Sequence, residues 1–221
     1  MPALCIAIVG AESTGKTTLA AALAPRLAAD TGLRVAWVPE LLRDWCDRTG
    51  RTPQAHEQAS ILRGQHERIE QAAAAHDVVI CDTTALMTAV YSRLLFDDRS
   101  LDARAAALHH RMALTLLMAL DLPWVADGQQ RDGPHVQGPV DTLLRELLMQ
   151  QPLPWAVVGG SGAARLENAV DAIAPLLRRR AARDGGIFSR LHRRNADAAA
   201  GAWHCENCDD AACELDLKRG P

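Results

Sequence analysis

The chain predicts a three-layer α/β fold: a five-stranded parallel sheet with helices on both faces. Three observations carry that expectation. Short apolar runs alternate with helix-like segments along residues 4–177. The first run leads into a glycine-rich turn that opens a helix. An apolar share of 48% with only 4% aromatics supplies a full core built of Ala, Leu and Val.

The strand-like runs are 4–9, 34–38, 77–81, about 114–120 and 155–158. Helices are expected over 16–29, 53–75, 83–95, 101–112, 140–151 and 163–180. The long one begins with Pro53 near its first turn, where a missing N–H costs nothing. Residues 128–139 are rich in Gly, Gln, Pro and charge and read as a mobile loop. Residues 1–180 are expected to form one domain, 181–200 an Arg/Ala-rich linker, and 201–221 a Cys-containing tail.

At 221 residues the chain fits one such domain plus an appendix. A net charge of −3 argues against general electrostatic binding to nucleic acid or membrane. No apolar run is long enough to cross a bilayer. The N-terminus enters the first strand directly, without the features of a leader peptide. A cytoplasmic protein is therefore expected. A homo-oligomer is left open.

Residues 10–17 read Gly-Ala-Glu-Ser-Thr-Gly-Lys-Thr, a complete G-x-x-x-x-G-K-[ST] phosphate-binding loop. A buried strand before it and a helix after it turn the string match into a site. Gly10 and Gly15 permit backbone angles closed to residues with a Cβ. Glu12, Ser13, Thr14 and Thr18 complete the loop and its exit. Their N–H groups should converge on phosphate at the positive end of a helix dipole. Lys16 is expected to reach the β- and γ-phosphates of ATP, and Thr17 to hold Mg²⁺.

Strand two ends Trp37-Val38-Pro39-Glu40. Ligands of open α/β sheets sit beyond the carboxyl ends of the strands, which puts Glu40 at the same edge as the loop. A carboxylate there can take the proton of an attacking hydroxyl. Arg43, one turn on, can hold that carboxylate or a substrate phosphate. A solvated helix start is the alternative. Strand three closes on Asp82, the pattern that places a carboxylate near Mg²⁺. Asp82 is thus a candidate for the metal or for the acceptor proton. Gln65 is a candidate for hydrogen bonds to a base or ribose, or an exposed polar position. After strand four, residues 122–135 have the composition of a lid. Arg131 is the candidate cation over the phosphates there. Trp124 is a candidate to stack on a base, or to pack the strand end.

In the tail, Cys205, Cys208 and Cys213 offer three thiols in nine residues. They are candidate Zn²⁺ ligands with His192 or a partner as the fourth, or redox thiols, or an unliganded tail. Residues 178–194 carry seven arginines against one Asp, which suits either an acidic partner or a solvated helix face.

The ordered series resembles NadR-type ribosylnicotinamide kinase domains. It comprises the loop, Glu40 with Arg43, Gln65 before Asp82-Thr83, and Trp124-Val125-x-Asp127-Gly128. The similarity spans roughly residues 3–177. It implies a P-loop NTPase fold with a helical lid, and ATP- and Mg²⁺-dependent phosphorylation of the 5′-hydroxyl of nicotinamide riboside. It also implies substrate contacts from Glu40, Arg43, Gln65, Asp82, Trp124 and Asp127. The family's adenylyltransferase domain precedes the kinase, so that activity is expected from another protein. The lid departs from the family in its arginine, which stands at Arg131 where the pattern has it one residue earlier. A deoxynucleoside or thymidylate-type kinase is the alternative within kinases. An ATP-switched regulatory module is the alternative outside them.

Overall fold

The computed structural model describes residues 2–125 and 133–184. Strands β1 (Leu4–Val9), β2 (Val35–Val38), β3 (Val78–Asp82), β4 (Leu114–Met118) and β5 (Trp155–Val158) form one sheet in the order β2-β3-β1-β4-β5. Every pairing is parallel. The helices are α1 (Lys16–Thr31), α2 (Leu41–Thr49), α3 (Gln58–Ala75), α4 (Ala85–Phe96), α5 (Asp102–His109), α6 (Gln137–Met149) and α7 (Gly162–Asp184).

The central strands read as unbroken apolar runs because both faces are covered. Ile6 and Ile8 of β1, Val78 and Ile80 of β3, and Leu114, Leu116 and Met118 of β4 point to one side. They meet Leu19, Leu23 and Leu27 of α1 and Val170, Ile173 and Leu177 of α7. Cys5, Ala7 and Val9, with Val79, Cys81 and Leu117, point to the other side. There they meet Leu86 and Val90 of α4 and Leu144 and Leu148 of α6. Each fully buried aliphatic side chain contributes about 1.5–3 kcal/mol, so the sheet's carboxyl edge rests on a rigid base.

The chain differs from its sequence-based expectation most clearly at three places, besides α2, which is not among the expected helices, and the earlier ends of α5 at His109 and β4 at Met118. The expected helix over 53–75 is a 3₁₀ turn, Ala55–Glu57, followed by α3. The Glu57 side chain accepts the Gln54 N–H at 2.8 Å and pairs with Arg51, and this fixes the entry. The expected loop 128–139 ends early: Pro134–Val136 is a 3₁₀ turn and α6 starts at Gln137. Pro139 falls in the first turn of α6, where no intrahelical N–H bond is lost, so a residue that signals a loop is accommodated in a helix. Helix α7 runs on to Asp184, past residue 180. Cys205, Cys208 and Cys213, with the rest of the tail, lie outside the described residues. So do Asp127 and Arg131. Among the described residues no helix is long and apolar enough to cross a membrane. None of their His, Cys, Asp or Glu side chains forms a group of three that could hold a metal.

One polar bridge lies inside the core. The His109 ring is 1% exposed, with Nδ1 at 3.1 Å from Thr84 Oγ1 and Nε2 at 2.8 Å from Thr115 Oγ1. It links the start of α4, just after β3, to β4. Burial, with a smaller push from His110, lowers its pKa to about 4. The unfolded chain therefore takes up a proton near 6.5 that the folded chain refuses until about 4. The associated stability is complete above pH 6.5 and is lost as pH falls towards 4. Denaturant melts should show about 2 kcal/mol less stability from this group at pH 5 than at pH 7.5. That difference should shrink in His109→Gln; an equal pH dependence in the two proteins would contradict the assignment.

Candidate functional site

The phosphate loop joins β1 to α1 at the carboxyl edge of the sheet. Gly10 has φ 154°, and a Cβ there would stand 2.9 Å from Met118 Cβ of β4 and 3.2 Å from Thr14 Oγ1. Only glycine fits between the two strand ends. Gly15 is left-handed at φ 78° and caps α1. Ser13 is left-handed too, at φ 60°, and its hydroxyl ties down the segment after β4. Its Oγ accepts the Val125 N–H at 2.8 Å and donates to the Val125 carbonyl at 3.2 Å. Gln137 Nε2, at the start of α6, donates to the Glu12 carbonyl at 2.7 Å.

Within the loop, Lys16 Nζ and Thr14 Oγ1 both donate to the Ala11 carbonyl, at 2.7 and 2.8 Å. The ammonium keeps two further donors. Lys16 is 9% exposed, and burial lowers its pKa, opposed by the charges of Glu40, Asp82 and Glu12. An arriving phosphate restores what burial took away. The carbonyl of Thr14 is held by Arg165 of α7, the helix packed beside α1, at 2.5 Å from Nη1. The same guanidinium donates to the Gly160 carbonyl at 2.6 Å and pairs with Asp121. The Asp121 carboxylate in turn accepts the Gly160 N–H at 2.5 Å. Arg165 thus braces the loop against the end of β5. It is a positioning residue that no sequence pattern announced.

Asp82, the last residue of β3, is fully buried. Neither carboxylate oxygen has a hydrogen-bond partner, nor does the Thr17 hydroxyl. The two side chains lie close enough for Thr17 to lower the Asp82 pKa, although they do not reach hydrogen-bond geometry. Burial is the larger effect and raises it. Buried, unpaired hard oxygens beside a phosphate loop are the donor set that Mg²⁺ takes together with substrate phosphates. The residues present therefore fit the ion. Thr83, next in the chain, has φ 69°, an uncommon conformation for a β-branched residue that costs about 1–3 kcal/mol. Its N–H donates to the Ile8 carbonyl at 3.1 Å, which keeps β3 in step with β1 at the site.

Glu40 caps α2 at the end of β2. Its side chain is 13% exposed, and Arg43 Nε donates to Oε2 at 3.3 Å. Burial raises its pKa, opposed chiefly by Lys16. Gln65 is buried, not exposed. Its Oε1 accepts the Leu41 N–H at 2.7 Å, and its Nε2 lies at 3.4 Å from the Pro39 carbonyl and 3.5 Å from that of Asp82. This carboxamide fastens the backbone on either side of Glu40 to the end of β3. Trp124 is half-buried, with its indole N–H buried and without a partner.

A cavity of about 650 Å³ opens beside the loop. Lys16, Glu40, Arg43 and Thr83 border it where the strands end, while Ile61, Met87, Tyr91 and Phe96 give it apolar walls. Asp82 and Trp124 are not among its lining residues. Arg51 forms part of the rim, gripped by Glu57 at 2.7 and 2.8 Å and lying 5.0 Å over the Trp45 ring. The site thus has a phosphate cradle with metal-type oxygens, and a cavity that reaches into it, lined by Glu12, Ser13 and Lys16 of the loop as well as by the Glu40 carboxylate.

Strand order, loop and metal-type oxygens together define a P-loop nucleoside triphosphate-binding α/β domain. A family model described as "AAA domain" matches residues 5–165, and the chain belongs to that family. No curated protein matches. Among solved structures, NadR protein in complex with NR is similar at TM-score 0.62 and 19% identity, over 78% of this chain and 49% of that one. The chain thus spans about half the length of the NadR structures it matches. Deoxyadenosine kinase from M. mycoides is similar at TM-score 0.56 and 14% identity, over 78% of this chain and 100% of that one. Thymidylate kinase from Ehrlichia chaffeensis is similar at TM-score 0.56 and 17% identity, over 80% of this chain and 100% of that one. The fold is therefore that of P-loop nucleoside and nucleotide kinases.

Proposed function

We propose that this protein is an ATP- and Mg²⁺-dependent kinase for the 5′-hydroxyl of a small nucleoside, nicotinamide riboside first among them. One observation carries the reading. A cavity large enough for a nucleoside runs up to the phosphate loop, and a half-buried carboxylate, Glu40, lines it together with Lys16. The likeness to NadR with NR, together with the ordered residues from Gly10 to Gly128, favours nicotinamide riboside as the acceptor.

In this reading Glu40 is the base and Asp82 serves the metal. Glu40 borders the acceptor cavity and Asp82 does not. Glu40, held by Arg43, accepts the proton of the attacking hydroxyl. Thr17 and Asp82 would hold Mg²⁺, which when bound spreads the charge of the β- and γ-phosphates. Lys16 and the loop N–H groups hold those phosphates in line with the acceptor. Gln65 and Arg165 position these parts without touching the reacting atoms. Arg131, Trp124 and Asp127 complete the proposal on the lid side. As a user of ATP the protein is placed in the cytosol.

ADP release from ATP–Mg²⁺ should rise on adding nicotinamide riboside and stay low with thymidine or deoxyguanosine. Stimulation by a deoxynucleoside instead would keep the mechanism and change the acceptor. ADP release indifferent to every nucleoside would overturn the kinase reading in favour of a switch.

A further inference from the structure

Besides Gln65, the acceptor cavity is lined by Gln54 and Gln58, and the proposed reaction does not use the chemistry of Gln58. Gln58 opens α3, two turns before Gln65. The two residues share the buried face of the helix, with Ile61 between them. Helix geometry separates them by about 10 Å along the axis. The Gln65 carboxamide is spent on the backbone around Glu40 and on Asp82. The Gln58 residue is nearly as buried, at 3% exposure, but its carboxamide is not among the polar groups sealed off from solvent without a partner. It lines the cavity. A carboxamide that lines a cavity and is not spent on the protein is free to pair with a ligand there.

The surroundings say which ligand. At one end of the cavity lie Glu40 and Lys16, next to the phosphate loop. Ile61, Met87, Tyr91 and Phe96 supply apolar walls that suit the faces of a flat ring. Gln58 stands along α3 from the Gln65 anchor, at a separation comparable to the length of a nucleoside. A carboxamide offers one acceptor and two donors in a plane. Its complement is another amide, one carbonyl beside one N–H, presented edge-on.

We infer that Gln58 selects the acceptor by pairing with an amide on its ring, at the end remote from the hydroxyl that is phosphorylated. The amide is either an exocyclic carboxamide or a lactam within the ring. The inference rests on the nucleoside-kinase reading above and names the specificity element of that site. A carboxylate in place of the carboxamide on the acceptor loses the donor and sets its oxygen against Gln58 Oε1, so the amide form is preferred.

Calorimetric titration and steady-state kinetics of wild type, Gln58→Leu and Gln58→Ala test this. The acceptors are nicotinamide riboside, nicotinic acid riboside and uridine. Gln58→Leu should weaken the amide-bearing acceptor by about tenfold for each hydrogen bond lost. The KM for ATP and the melting temperature should stay at wild-type values, and the preference for nicotinamide over nicotinic acid riboside should collapse. Gln58→Ala should behave alike, which separates lost hydrogen bonds from altered volume. A loss confined to nicotinamide riboside identifies the exocyclic amide; a loss confined to uridine identifies the lactam. Unchanged acceptor affinity in both variants, with turnover intact, overturns the role of Gln58 and leaves the kinase reading standing. Failure of wild type to bind any of the three would overturn the role of Gln58, and the kinase reading would fall with it only if no nucleoside stimulates ADP release.

Discussion

Lys16→Ala should lose turnover by about 10²–10³-fold or more, as expected for removal of a preorganised charge from a transferring phosphoryl group. It should do so without loss of stability. Lys16 is buried, and burial lowers its pKa, so in the absence of phosphate the ammonium is a burden on the fold. Its one hydrogen bond goes to the Ala11 carbonyl, which Thr14 Oγ1 also serves. Glu40 and Asp82 already have raised pKa values, and removing the cation raises them further. They respond by taking protons, not by unfolding the site. The melting temperature of the variant should equal or exceed that of wild type in buffer without nucleotide. The stabilisation that wild type gains from ATP–Mg²⁺ should be largely absent in the variant. Full activity in Lys16→Ala would contradict a phosphate-binding role for the loop.

Glu40→Gln should reduce kcat by about 10²–10⁴-fold while the KM for ATP stays within a few fold. The substitution keeps the shape and the contact with Arg43 and removes the capacity to take a proton. Wild type should also show a pH signature. Glu40 serves as a base only when ionised, and burial holds its pKa above the usual carboxylate range. The acceptor kcat/KM should therefore climb with pH through a pKa above 4.5. In Glu40→Gln that limb should vanish. Asp82→Asn should behave differently, demanding more Mg²⁺ and raising the KM for ATP, because Asp82 lies outside the acceptor cavity and beside Thr17. An unchanged rate in Glu40→Gln would move the base to Asp82.

The parts of the site visible in the sequence are those encoded over a few consecutive residues. The loop is one, because its glycines, lysine and threonine must be contiguous to wrap a phosphate. Asp82 is another, because β3 is buried on both faces and its apolar run ends abruptly at the carboxylate. Glu40 could be placed at the site edge once β2 was assigned to a parallel sheet. Local readings failed where tertiary contacts decide. Pro139 signals a loop but sits in the tolerant first turn of α6. Gln65 stood out by its spacing to Asp82, yet its burial and its bonds to Pro39, Leu41 and Asp82 come from three separate elements. Arg165 braces Thr14 across 151 residues of sequence. His109 is bridged by Thr84 and Thr115, from other elements. Gln58 carries no motif, and only its burial beside an open cavity distinguishes it from a surface glutamine.

The central claim is transfer of the γ-phosphoryl group of ATP to a nucleoside. The most direct test follows the label from γ-labelled ATP in the presence of Mg²⁺ and nicotinamide riboside. A kinase built as described yields labelled nucleoside 5′-monophosphate in step with ADP, and yields neither in Lys16→Ala. Label appearing as inorganic phosphate, with the nucleoside recovered unchanged, would contradict it.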